Sequence, residues 1–417
     1  MRIREVIVTP IAFADPPLLN AVGVHEPWAL RSIIELVCDD GVIGLGESYG
    51  DERFLGLLRE AAERLPGLDV FDLNGVRGAV EESRGAFADS HGLTGGSTPS
   101  KTLLSIFSAF EVACLDAQGK AIGRPVVDLL GGKVRDTVPF SAYLFYKWAG
   151  HPGAEPDGWG EALDPDGIVA QARRLIDLHG FGSIKLKGGV MPVEEEIEAV
   201  RALRRAFPEA PLRIDPNAKW GVETSVKVAA DLDGVLEYLE DPTPGIPRMA
   251  EVARRVNAPL ATNMCVVAFE HIPEAVRLGA IGVLLSDHHY WGGLSLTQDV
   301  STLCETFGIG LSMHSNSHLG ISLAAMVHVA AATRHLSYAC DTHRPWQGSD
   351  DVIEAGPMTF VDGAVAVPGG PGLGVELDRD ALARLHEQYL SCGLRHRDDT
   401  AYMRSIEPGF EPDLGRW

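Results

Sequence analysis

From Val138 to Met313 the chain repeats one pattern: a short apolar run, a polar turn, then an amphipathic stretch. Strand candidates fall at 138–144, 183–187, 211–215, 236–240, 259–263, 282–287 and 309–313. Helical periodicity fills the gaps near 166–179, 192–207, 222–232, 247–256, 271–279, 294–306 and 319–334. Strands alternating with helices at this density make βαβ units, and hence a parallel sheet. Seven or eight such units favour a closed, modified (β/α)8 TIM-type barrel over an open sheet. The flanks read differently. Residues 2–14 and 29–38 read as strands, and 52–65, 72–86 and 102–121 as helices. The Gly/Ser/Thr-rich stretch 92–98 reads as a mobile loop. The organisation is therefore an α+β unit at 1–135, a barrel at 136–360, and a C-terminal segment at 361–417. That segment continues a strand and a Gly/Pro loop (360–378) that rejoins the first unit.

The chemically capable residues fall at the strand ends. Lys185 and Lys187 stand at i, i+2 near the end of one strand and so share a face. Asp215, Glu240, Asn263, Asp287 and His314 end the strands that follow, at steps of 28, 25, 23, 24 and 27 residues from Lys187. Each step is one βα unit. In a barrel these ends form the rim on which active sites are built. Singly, each residue has a plainer reading: a helix cap, a solvated edge lysine, a core imidazole or a turn asparagine. Six in register are not explained as caps. The acidic run Glu194-Glu195-Glu196 reads only as charge suited to a helix N-terminus.

Asp215, Glu240 and Asn263 offer oxygen donors alone, which suits Mg²⁺ or Mn²⁺. A cation beside lysines calls for an anionic substrate, and a carboxylate fits. Such a site stabilises charge that grows on carboxylate oxygens when the α-proton leaves. Lys187 needs a lowered pKa to serve as base, and Lys185 and a cation both push it that way. Asp287 is placed to orient the His314 imidazole. The formal charge of −22 disfavours nucleic acid and anionic membrane surfaces as partners. The six Cys form no C-x-x-C pair, which argues for reduced thiols and a cytoplasmic location. The N-terminus reads as a strand rather than a signal peptide, and no apolar run approaches the ~20 residues of a span.

The segments FGSIKLKGGV (181–190), LRIDPNAKW (212–220), LEDP (239–242), PLATNM (259–264), SDHHYWGGLS (286–295), MHSNSHLGISLA (313–324), DTH (341–343) and PGLGVELD (371–378) resemble the enolase superfamily, and within it the glucarate dehydratase subgroup. The resemblance implies an α+β capping domain, built from the N-terminal region plus a C-terminal piece, over a modified barrel. It implies Mg²⁺-dependent dehydration of D-glucarate to 5-dehydro-4-deoxy-D-glucarate. By position it makes Lys187 and His314 bases on opposite faces of the substrate, with Asp287 behind His314. Lys185 would hold the substrate carboxylate, and Asp215, Glu240 and Asn263 the metal. Asn217, Ser315, Asn316 and His343 match substrate-side groups, as do His25, Tyr143 and Arg397. A homo-oligomer acting on a small acid-sugar dicarboxylate is the corresponding expectation.

Two departures stand out. Some relatives carry an acid six residues after the Glu of their EDP motif, where this chain has Ile246, and His288 replaces a usual proline. The loop at 88–101 also matches poorly. Rival readings are a dehydratase or epimerase of another aldarate such as galactarate, and a non-catalytic relative.

Overall fold

The computed structural model describes residues 1–83, 98–356 and 358–412. Most of the stretch 92–98 lies outside these residues, as does most of the 88–101 loop. The first unit is a three-stranded antiparallel sheet. Its strands are β1 (Ile3–Ala14), β4 (Trp28–Cys38) and β5 (Ile43–Tyr49), in the order β1-β4-β5. Between β1 and β4 lies a small hairpin, β2 (Leu19–Asn20) and β3 (Gly23–Val24). β5 is the strand the sequence pattern hides, because Gly44 and Gly46 dilute its β signal. Their role is close approach. A Cβ at Gly44 would sit 2.0 Å from the Ala113 carbonyl oxygen, and one at Gly46 2.4 Å from that of Ala109. The long helix Pro99–Ile122 can therefore lie directly on β5. Thr98 caps this helix by accepting the Lys101 N–H, Pro99 occupies its first turn, and left-handed Gly123 ends it.

The chain then forms β6 (Thr137–Pro139) and breaks at Phe140, so the single strand expected at 138–144 is two. The barrel strands follow: β7 (Ser141–Phe145), β8 (Ser183–Lys187), β9 (Leu212–Asp215), β10 (Tyr238–Glu240), β11 (Leu260–Thr262), β12 (Val283–Ser286) and β13 (Gly310–Met313). They pair in chain order, all parallel. Each is followed by a helix, the last being Gly320–Ala332. The eighth position is filled by the segment through Cys340. Asp341 N–H donates to the Met313 carbonyl at 2.9 Å, and Ser141 N–H donates to the Cys340 carbonyl at 2.8 Å, so the ring closes. Among the described residues a short 3-10 turn, Arg344–Gln347, but no α-helix follows this segment before the floor hairpin, which makes the barrel (β/α)7β. The hairpin β14 (Phe360–Val361) and β15 (Ala364–Ala366) pairs with β6 beneath the barrel. It is the Gly/Pro loop after it that reaches the first unit, with Leu373 N–H donating to Asp116. The helix Arg379–Cys392 then packs on β1.

Two buried carboxylates fasten the first unit to the barrel. Glu111, on the long helix, accepts the N–H groups of Leu294 and Ser295 and the Ser295 hydroxyl at the start of helix Gly293–Phe307. Glu47, on β5, accepts the N–H groups of Leu319 and Ser322 at the start of helix Gly320–Ala332. Both satisfy donors that a helix N-terminus leaves free, with charge of the favoured sign. All six cysteines are free thiols, and no described helix is long and apolar enough to cross a membrane.

Candidate active site

Parallel strands share a direction, so their last residues gather at one rim. Alternation then sends Tyr143, Lys185, Lys187, Asp215 and Glu240 inward. Above them, under the first unit, lies a cavity of ≈ 380 Å³. Lys187, Asn217, Asn263, His314, Ser315, Asn316, His343, Tyr143, His25 and Arg397 all line it. Lys185, Asp215, Glu240 and Asp287 lie beneath its surface, each at most 2% exposed.

Lys185 is therefore not at the cavity wall, as expected of a group that holds substrate. It donates to Glu240 and to Asp341, both at 2.7 Å, with Asp215 at 3.6 Å. Burial disfavours its charge, but these carboxylates outweigh that and raise its pKa. Lys187 donates to Asp215 at 2.6 Å and to the Asn217 side-chain oxygen. Burial and the repulsion from Lys185 lower its pKa, but Asp215 and Tyr143 together prevail and raise it; the lowering expected of a base calls for a cation beside it as well. Asp215 is held below the usual carboxylate range: burial would raise it, but Lys187 and Lys185 prevail. Asn217 adopts a positive φ of 53°, which lets its N–H turn back onto Asp215 at 2.9 Å.

Three buried carboxylates, Asp215, Glu240 and Asp341, face Lys185, Lys187 and Arg213, and a fourth, Asp241, is buried near Asp215. Burial pushes Glu240 well upward, with Asp215 and Asp341 adding to the push against Lys185. Its Oε2 and the Asn263 Oδ1 are buried acceptors with no hydrogen-bond donor. A set of oxygens with excess negative charge and orphaned acceptors fits a hard divalent cation. Ile246 begins the helix Ile246–Ala253 and packs in the barrel wall at 7% exposure. The acidic donor available here is thus Glu240.

Across the rim, one Asp287 carboxylate serves two imidazoles. Its Oδ1 accepts His289 Nδ1 at 2.7 Å and the His289 backbone N–H at 2.9 Å. Its Oδ2 accepts His314 Nδ1 at 3.0 Å and the Asn316 amide at 3.3 Å. His314 Nε2 is left with no protein partner among the described residues. Although burial opposes its charge, His289 and His314 keep Asp287 well below its ordinary pKa. Asp287, His288 and His289 lie close enough to suggest a metal cluster. The Arg31 guanidinium, 2.8 Å from His289 Nε2, makes that spot unsuitable for a cation. Ser315 and His343 meet at 3.3 Å, and Arg397 forks onto Asp399 and reaches Asp15, which also holds His25.

Several working residues escaped the sequence reading. Asp341 lies 27 residues beyond His314, one further rung of the same ladder, so its signal was present. Asp241 accepts the backbone N–H groups of Asn263 and Met264 and the Thr262 hydroxyl, and so sets the Asn263 loop. Glu196 is buried and accepts the N–H groups of Gly189, Val190 and Met191, which shapes the loop after Lys187. It is more than dipole decoration. Lys101 and Tyr290 also line the cavity, and no pattern in the sequence marks them.

Comparison with known proteins is consistent with this geometry. Residues 167–381 match the family described as enolase C-terminal domain-like. A probable glucarate dehydratase from Streptomyces coelicolor is 56% identical, over 100% of this chain and 99% of its own. A solved enolase structure from Thermobispora bispora, complexed with magnesium and formate, is 66% identical with a TM-score of 0.98, covering 100% of both chains. One from Mycobacterium smegmatis, complexed with tartrate, is 63% identical with a TM-score of 0.96, covering 100% of this chain and 98% of that one.

Proposed function

The chain belongs to the enolase superfamily and is an enzyme of lyase type, and on that premise we propose that it dehydrates D-glucarate to 5-dehydro-4-deoxy-D-glucarate with Mg²⁺. The observation that carries this reading is a proton-transfer group on each side of one cavity. Lys187 Nζ rises from β8 and His314 Nε2 from the end of β13, with the oxygen donors of β9 to β11 between them. Two such groups address both faces of a carbon α to a carboxylate.

Asp215, Glu240 and Asn263 would hold the metal. Bound there, Mg²⁺ supplies Lewis-acid stabilisation of charge on the substrate carboxylate. The protein's own residues do the rest. Lys187 must lose its proton to act as base, and Asp215 is the group that now keeps it charged. Sharing Asp215 with a divalent cation weakens that hold. Asp287 fixes the His314 tautomer, so that Nε2 faces the cavity with a lone pair or, once protonated, with a proton to give. One base takes the C5 proton, and the 4-hydroxyl departs with a proton from the other side's conjugate acid. Asn217, Ser315, Asn316, His343, Tyr143, His25 and Arg397 orient the polyol. The 56% identity to a probable glucarate dehydratase supports the choice of sugar.

The test is D-glucarate with protein and Mg²⁺ in D₂O, followed by NMR. Formation of the keto product is the expected result. Deuterium at C5 without product keeps the proton-transfer chemistry and replaces the substrate, with galactarate next. Neither signal, with no Mg²⁺ binding, overturns the reading.

A further inference from the structure

Among the described residues, the Lys and Arg side chains around the cavity have carboxylate partners, with one exception. Arg31 bonds Glu47 at 2.9 Å, Lys185 bonds Glu240, Lys187 bonds Asp215, and Arg397 bonds Asp399 and Asp15. Lys101 has no ion pair and no side-chain hydrogen bond among the described residues. Its residue is only 8% exposed, and it lines the cavity. Its ammonium lies 4.7 Å from the centroid of the Tyr290 ring, whose hydroxyl donates to the Asn263 carbonyl at 3.3 Å.

Helix stability does not account for a lysine at this place. Lys101 stands in the first turn of helix Pro99–Ile122, where the macrodipole disfavours positive charge. A buried, unpaired ammonium also costs free energy unless something compensates it. Burial lowers its pKa to about 8, and the more distant Asp287 and Asp241 only partly oppose this. The contact with the Tyr290 ring face is a small return for that desolvation.

We infer that Lys101 is a specificity-determining residue, the counter-ion that the first unit supplies for a substrate carboxylate on the Asn263–Tyr290 side of the cavity. The inference rests on the proposed acid-sugar reading for the substrate class but not on turnover. It explains why the first unit must cover the rim: among the described residues, the barrel offers that side of the ligand Tyr290 and Asn263 but no unpaired Lys or Arg side chain.

The test is calorimetric titration of tartrate, a small diacid, into wild type, Lys101→Met and Lys101→Arg at fixed Mg²⁺, alongside steady-state kinetics on D-glucarate. Methionine keeps the apolar stem and arginine keeps the charge. The expected result is a tenfold or greater loss of tartrate affinity in K101M and recovery of most of it in K101R. KM for glucarate should rise by a similar factor while kcat changes far less. Unchanged tartrate affinity in K101M overturns the inference, as does the same loss in both variants or a fall confined to kcat. Absence of tartrate binding by wild type overturns it too. Tartrate binding that depends on Lys101, in a protein that does not dehydrate glucarate, sustains this inference and removes the proposed substrate instead. If K101M does not fold, K101R against Lys101→Gln makes the same comparison.

Discussion

Asp287→Asn isolates what a single carboxylate does for His314. Asp287 accepts four hydrogen bonds, two at each oxygen. An amide can accept at only one end, so its NH₂ must face donors. Placed at Oδ1, it meets the backbone N–H of His289, which has no alternative state. Placed at Oδ2, it meets His314 Nδ1, which can shed its proton and become an acceptor. The second arrangement costs less, and it moves the His314 proton to Nε2. The nitrogen that faces the cavity then carries a hydrogen where the reaction needs a lone pair. Loss of a positioned general base lowers rate by about 10²–10⁴, and the equivalent tautomer error in a serine-protease triad sits at the upper end, ~10⁴. The barrier should therefore rise by about 3–5 kcal/mol. The assay is kcat and KM on D-glucarate, with deuterium exchange at the α-carbon of each epimeric acid sugar. Exchange by the Lys187 face should survive while exchange by the His314 face falls. Mg²⁺ affinity and thermal unfolding serve as controls. A variant that keeps kcat within about threefold, under ~0.7 kcal/mol, would refute the tautomer argument.

Other outcomes follow from the same structure. Asn263→Ala removes one of the orphaned buried acceptors at the rim, and Mg²⁺ affinity measured by calorimetry should fall at least about tenfold, while Ile246→Val leaves it unchanged. Glu111→Ala strands two backbone N–H groups and a hydroxyl, at about 1–3 kcal/mol each. With the cost of burying the carboxylate relieved, a net loss of roughly 3 kcal/mol is expected in urea unfolding. His328 is buried, accepting the Val127 N–H and donating to the Leu373 carbonyl, and burial lowers its pKa to about 4. The unfolded chain takes up its proton near pH 6.5, so this contribution is complete above that pH and is lost as pH falls towards 4. The loss amounts to roughly 3 kcal/mol. His328→Gln, which keeps one acceptor and one donor, should flatten the stability–pH curve over that window by one proton's worth of slope. An unaltered slope would show that His328 does not titrate in this way.

The barrel and its ladder of rim residues were legible in the sequence because both follow from local periodicity. A βα unit has a fixed length, so residues about 25 positions apart fall at equivalent strand ends, and the strand run 183–187 coincides with β8. Asp341, one more such step, could have been read the same way. The oxygen-donor set was legible too, since donor type is a property of the residue itself. The tertiary structure decided what depends on distance. β5 was hidden because glycine's value there lies in contact with a helix that follows it by more than fifty residues. Lys185 turned out to be neutralised within the protein, and Lys187 to be held charged, because burial and neighbouring carboxylates set pKa values, and the sequence contains neither. Lys101 was invisible for the same reason. A lone lysine in a helix is ordinary until the fold buries it over a cavity whose other cations already have their partners.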